Sequence, residues 1–261
     1  MKAWLLAAAL ALPAAAAEAP KAAPKPKAAT KAPAAKAAPA APAVAASTAA
    51  FAWTSTAPLT VADVLAHYEA MDAALVSLSA RFEQSMTMKE TGVASHVEGA
   101  LSYKKPDRLR IEHVKPEPQT VVADGKDIWI HRTERRQVVQ AALSDWKNAD
   151  PAIGNLMEFG SYARMLKAYD VALDTAGPRA ALVLTPKPQP GAAARELALR
   201  LSLSPTTLFP ESTELAVGSL SVKTSFTGLA FNPVLDDKAF VFTPPADADV
   251  FRDFKPPKFS P

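Results

Sequence analysis

The chain has 261 residues, with 29 Lys and Arg, 26 Asp and Glu, 24 Pro, 9 Gly and no Cys. The charge is unevenly spread: residues 1–58 hold six Lys and one acid, so residues 59–261 carry 23 basic against 25 acidic side chains. That balance removes most of the basic folded surface that nucleic-acid binding needs, and zero Cys excludes disulfides, thiolate nucleophiles, iron–sulfur clusters, Cys-ligated zinc and a lipid-modified N-terminal Cys.

Met1-Lys2 opens a short positive region, Ala3 to Leu12 is apolar, and Ala15-Ala16-Ala17 offers a small-residue cleavage site before Glu18. This is the layout of a secretory signal peptide over residues 1–17, and its apolar run is shorter than the roughly 20 residues of a spanning helix. Residues 18–58 are Ala, Pro and Lys with little large apolar surface, which predicts a disordered linker. The linker is either a cationic spacer or a solubilising tail. The folded domain is expected over 59–261.

Within that domain, Val61, Val64, Leu65, Tyr68, Met71, Leu75 and Leu78 have the spacing of an amphipathic helix over Leu59–Leu78, with Thr60 and Asp63 as a capping box. The period then changes to two. Leu109, Ile111 and His113 alternate with Arg108, Arg110 and Glu112, and Ile128 and Ile130 with Trp129 and His131. Further runs follow at Leu197–Leu203, at Leu220–Phe226, and at Phe240 and Phe242. Turn signals separate them at Lys105-Pro106-Asp107, Asp124-Gly125-Lys126, Ser204-Pro205 and Asn232-Pro233. About nine to eleven strands without long intervening helices exclude a parallel α/β sheet and predict a single antiparallel sheet, open or closed as a barrel. Between them, Asp150–Gly160 leads into a helical pattern over Ser161–Tyr169. Such a helix either plugs the core or covers the mouth of a cavity, where Met157 and Met165 suit varied apolar ligands.

No catalytic set assembles. His67 falls on the helix, His96 in a turn, and His113 and His131 on strands that could be neighbours. None has metal-ligand spacing with a third group, and neither a nucleophile elbow nor a phosphate-binding Gly loop occurs. An enzyme is not expected, and neither a cofactor nor a metal is implied.

From Met71 to Val250 the chain resembles the LolA family of periplasmic outer-membrane lipoprotein carriers. The pieces, in order, are Arg81-Phe82-Glu83-Gln84, then Glu98-Gly99-Ala100-Leu101, then Lys105-Pro106-Asp107-Arg108-Leu109-Arg110. Asp124-Gly125-Lys126-Asp127-Ile128-Trp129 and Leu182-Val183-Leu184-Thr185-Pro186-Lys187 follow. The last is Asn232-Pro233 through Phe240-Val241-Phe242-Thr243-Pro244-Pro245 to Asp249-Val250, similar to the family's closing strand.

The resemblance implies an unclosed antiparallel β-barrel of about eleven strands, with an N-terminal helix and a short helical lid over an apolar cavity for lipoprotein acyl chains. It implies transit through the periplasm, from an inner-membrane ABC-type release complex to the outer membrane, either to an outer-membrane acceptor or without one, and a monomer is expected. Carried over by position, Leu109 and Ile111 are expected to line the cavity where relatives have large aromatics, and Ile153, Leu156, Met157 and Phe159 to lie on the lid. Lys105 stands where carriers have an Arg that hydrogen-bonds lid carbonyls. A point-charge ammonium lacks the planar fork of Arg, so Lys105 is either a looser gate or a solvated turn residue. Arg132, Arg135 and Arg136 form a basic turn suited to anionic headgroups or an acidic partner, or simply to solvent. Two alternatives stay open: a lipid-sensing regulatory module like RseB, and a carrier of a different lipid.

Overall fold

The computed structural model describes residues 51–149, 163, 166–167, 169–187 and 197–255. The helix α1 (Val61–Ala74) precedes the strand β1 (Ser77–Met88). Its capping box forms as the sequence predicts: the Thr60 hydroxyl accepts from the Asp63 amide at 3.2 Å, and the Asp63 carboxylate accepts from the Thr60 amide at 2.9 Å. The helix stops four residues short of Leu78. Asn232 is the cause: its side-chain oxygen accepts from the Val76 and Ser77 amides, and its amide nitrogen donates to the Ala74 carbonyl. The Asn232-Pro233 turn signal therefore serves as a remote clamp on a helix end, drawing the chain into strand.

Twelve strands form one unclosed, curled sheet. In chain order these are β1 (Ser77–Met88), β2 (Ala94–Lys104), β3 (Arg108–Lys115), β4 (Gln119–Asp124), β5 (Asp127–Arg132) and β6 (Gln137–Ala142). The short helix α2 (Leu143–Ala149) follows. Then come β7 (Tyr169–Asp174), β8 (Ala181–Pro186), β9 (Leu197–Leu203), β10 (Pro210–Val217), β11 (Leu220–Phe231) and β12 (Asp249–Phe251). Their spatial order is β12-β6-β5-β4-β3-β2-β1-β11-β10-β9-β8-β7, so β12 and β7 are the two free edges. All pairs are antiparallel except β12 with β6, which is parallel.

Alternation places one side chain in two on the inner face, where strand residues and α1 share a single apolar cluster. Phe82, Leu101, Leu109, Ile111, Val121, Ile128 and Leu201 belong to it, with Val64, Tyr68 and Met71 from the helix. Phe51, eight residues before the expected start of the domain, is also inside, 1% exposed and stacked on Phe231 with ring centroids 4.5 Å apart.

Three expectations are corrected. The Phe240 and Phe242 alternation is no strand: Asp237–Phe240 is a 3-10 helix and the chain runs on irregularly to β12. This segment lies on the outer face of β3 and β4, where Phe240 is buried and Phe242 packs on the rings of Trp129 and His131. A period of two arises here because alternate aromatics meet a sheet face, without any ladder. His96 lies within β2, since the turn comes earlier, at residues 89–91. His113 and His131 are not neighbours: β4 stands between their strands, and they face opposite sides of the sheet.

Candidate functional site

The family-like motifs build the scaffold that surrounds the inner face. In Asp124-Gly125-Lys126-Asp127, the Asp124 carboxylate accepts from the Lys126 and Asp127 amides, both at 2.8 Å, and Gly125 takes φ +100°. Only glycine adopts that backbone cheaply, so the motif is a tight β4–β5 turn. Lys104, Arg108 and Arg110 point outward and strap the 235–239 segment to the sheet. Lys104 and Arg108 share Asp237 at 2.5 and 2.7 Å, and the Lys104 hydrogen bond holds that carboxyl below the usual range. Gln84, fully buried, donates to the Thr224 hydroxyl at 2.9 Å.

Leu109 and Ile111 lie on the inner face of β3, each 0% exposed within the main cluster. Leu109 is opposite Tyr103 and Ala123, and Ile111 opposite Leu101 and Val121. The structure thus brings both candidates together in one interior. Among the described residues, cavities open elsewhere on the sheet's margins. One of about 520 Å³ lies beside Ala52, Pro210, Phe226, Leu229 and Phe231. Another, about 350 Å³, lies beside Pro178, Arg200 and Glu211. A third, about 310 Å³, lies between α1 and β7 beside Leu65, Leu166, Tyr169 and Val171. The lid candidates Ile153, Leu156, Met157 and Phe159 fall outside the described residues.

Lys105 is partly exposed in the β2–β3 turn and has a specific partner there. Its ammonium donates a short hydrogen bond to the Asp72 carbonyl, one of the four C-terminal carbonyls of α1 that lack partners within the helix. The last turn of α1 contains no basic residue of its own, so Lys105 supplies from the β2–β3 turn the positive charge that a helix C-terminus favours. The Asp72 carboxylate in turn accepts from the Ala163 amide at 2.9 Å. Lys105, Asp72 and Ala163 therefore link the β2–β3 turn, the helix end and the segment expected to form the lid. Burial raises the Tyr68 and Tyr103 hydroxyls far above the ordinary tyrosine range, and the Asp72 charge adds to both shifts. The sequence shows the Lys before Pro106 but gives no sign of Asp72 as its partner, which sits 33 residues away.

The basic turn divides. Arg135 pairs with Glu117 at 3.6 Å and Arg136 with Asp247 at 3.7 Å, both at the surface. Arg132 has the parity of Ile128 and Ile130 and lies on the inner face, half-buried. Burial first, then the Arg135 charge, lowers its pKa from the ordinary arginine value. No group of three His, Cys, Asp or Glu with metal-site geometry occurs among the described residues, and no described helix is long and apolar enough to cross a membrane.

The family model described as outer membrane lipoprotein carrier protein LolA matches residues 73–243 of the chain. A protein of Dechloromonas aromatica (strain RCB) named outer-membrane lipoprotein carrier protein is 31% identical over 180 residues, covering 67% of this chain and 80% of its own. One of the same name from Hahella chejuensis is 27% identical over 207 residues, covering 76% of this chain and 96% of its own. Among solved structures, a LolA superfamily protein from Nitrosomonas europaea aligns with a TM-score of 0.38 and 11% identity, over 71% of this chain and 99% of its own.

Proposed function

Because the chain belongs to the LolA family of outer membrane lipoprotein carrier proteins, we propose that it takes up the acyl chains of a lipoprotein in the periplasm and shields them in transit. It receives them from an inner-membrane ABC-type release complex and hands them to an outer-membrane acceptor. The work is binding and release, without covalent chemistry. Exposed acyl chains cost about 0.8 kcal/mol per CH₂ in water, so free transit of a lipidated protein is very unfavourable.

The observation that carries this reading is the unclosed sheet with a mainly apolar inner face, held to α1 through Lys105. Leu109 and Ile111 would contact acyl chains once the interior opens, and Ile153, Leu156, Met157 and Phe159 would cover them. Lys105 would act as the gate. Its bond to the helix end is single and local, which suits a cover that must hold and then let go. The closed packing around Leu109 and Ile111 fits an unloaded carrier whose own side chains fill the space a ligand takes.

The test is release of newly made lipoproteins from spheroplasts of the native host by the purified mature chain. A soluble one-to-one complex in the supernatant is the expected result. Uptake of a fluorescent acyl probe without any lipoprotein release would mean a real cavity with a different cargo, and no uptake at all would defeat the carrier reading.

A further inference from the structure

One step along the strands from the Ile111 row, the inner face turns polar. Phe82, Gly99, His113, Gln119, Arg132 and Gln137 are successive cross-strand partners on β1 to β6. Each of the four polar members has the parity of core residues on its own strand: His113 with Leu109 and Ile111, Gln119 with Val121 and Ala123, Arg132 with Ile128 and Ile130, and Gln137 with Val139 and Ala141. Gly99 lets this row form. A Cβ there would lie 2.5 Å from the Phe82 ring and 2.4 Å from the Glu112 carbonyl, so only glycine allows Phe82 to lie across β2. The Phe82 ring then meets the His113 ring edge-on at 5.8 Å.

Two side chains in the row have unspent hydrogen-bonding capacity. His113 is 8% exposed, and its Nε2 has no hydrogen-bond partner among the described residues. The guanidinium of Arg132 makes no close ion pair with a described residue; the Glu117 carboxylate acts on it only through its charge and lies against Arg135. Buried polar groups without partners are uncommon in native proteins, and at the edge of an apolar interior they point to a ligand that completes them.

We propose that His113, Gln119 and Arg132 form a ledge that binds the oxygen-bearing root of an acyl-chain ligand, an ester carbonyl or an anionic carboxylate or phosphodiester. The chains themselves lie along the Leu109 and Ile111 rows. The inference rests on the carrier reading and deepens it. Arg offers five donors in a planar fork that matches carboxylate and phosphate oxygens, and Gln119 adds amide donors beside it. Neighbouring strands stand about 4.8 Å apart, so the three side chains present a row about 10 Å wide. From Leu109 to His113 is four residues, about 13 Å along the strand, which sets the depth of apolar face beyond the ledge. A cationic headgroup would meet the Arg132 guanidinium and be repelled.

The test displaces a fluorescent long-chain acyl probe from the mature protein with competitors of one chain length: the carboxylate, its methyl ester and the trimethylammonium amphiphile, with phosphatidylglycerol as a fourth. The wild type should bind the carboxylate at least tenfold more tightly than the trimethylammonium compound. Arg132→Gln should remove about tenfold of that preference while still taking up the probe, and Arg132→Lys should keep part of it. His113→Leu should weaken the carboxylate and the ester alike. Lys89→Gln, an exposed cation in the β1–β2 turn, should change nothing. A larger loss in Arg132→Gln for phosphatidylglycerol than for the ester assigns the phosphodiester as the root, and the reverse assigns the ester carbonyl. Probe uptake with no anion preference and no loss of ester binding in Arg132→Gln or His113→Leu, or an anion preference that survives in Arg132→Gln, overturns the ledge and leaves the carrier standing. A wild type that takes up no probe overturns the carrier reading, and the ledge with it.

Discussion

Replacing Lys105 with Met keeps the length of the apolar stem and removes the ammonium that donates to the Asp72 carbonyl. A hydrogen bond to a charged group contributes about 1.5–3 kcal/mol, and the partly exposed position of Lys105 places it near the lower figure. At about 1.4 kcal/mol per factor of ten, the end of α1 should detach about tenfold more often. Asp72 moves with that helix end, and its carboxylate holds the Ala163 amide, so the contact to Ala163 opens with it. The expected outcome is an acyl probe that leaves Lys105→Met about tenfold faster in stopped-flow displacement. Lys105→Arg, which can still donate to one carbonyl, should stay within about threefold of wild type. An unchanged release rate in Lys105→Met, with unchanged thermal stability as the check on folding, would refute the gating role.

Three further outcomes follow from particular side chains. Burial lowers the His113 pKa from its ordinary value to about 4. The unfolded chain therefore binds a proton there below pH 6.5 that the folded chain refuses until near pH 4. Stability falls as pH drops through that window, by about 2 kcal/mol at pH 5, and urea unfolding should show the loss in wild type but not in His113→Leu. Phe51→Ala removes a ring stacked on Phe231 and should cost about 3 kcal/mol by the same method, whereas deleting residues 21–50 should alter neither stability nor probe uptake. Leu109→Glu buries a carboxylate at a fully covered position and should lower the Tm by many degrees, so Leu109→Ala is the cleaner probe of the interior.

The period-two runs show in the sequence because each strand has one face in the apolar cluster, and alternation reports that face directly. The order of strands is not local information: the alternation at His113 and His131 is the same whether or not β4 separates them. The Phe240 and Phe242 repeat shows a second limit, since packing on the outside of a sheet selects the same spacing as pairing within it. Of the candidate residues, the inward placement of Leu109 and Ile111 is legible because a strand buried on one face must be apolar there. The role of Lys105 is legible only in part: its position before Pro106 marks it, but its partner is a backbone carbonyl, which leaves no trace in residue type. The polar row is hidden for a related reason. Its members come from different strands and share a face only once the register is fixed.

The free edges at β7 and β12 have a mechanical consequence. In a closed barrel the number of strands and their stagger fix the radius, and a wider bore would need a broken ladder. Here the ring is split, so the wall can spread like a spring clip while every inter-strand hydrogen bond stays made. On the proposed carrier reading, dilation would cost only the side-chain packing inside the ring, which entering hydrocarbon would restore. The width of the interior would then be set by whatever fills it, and one sheet would close around contents of different bulk.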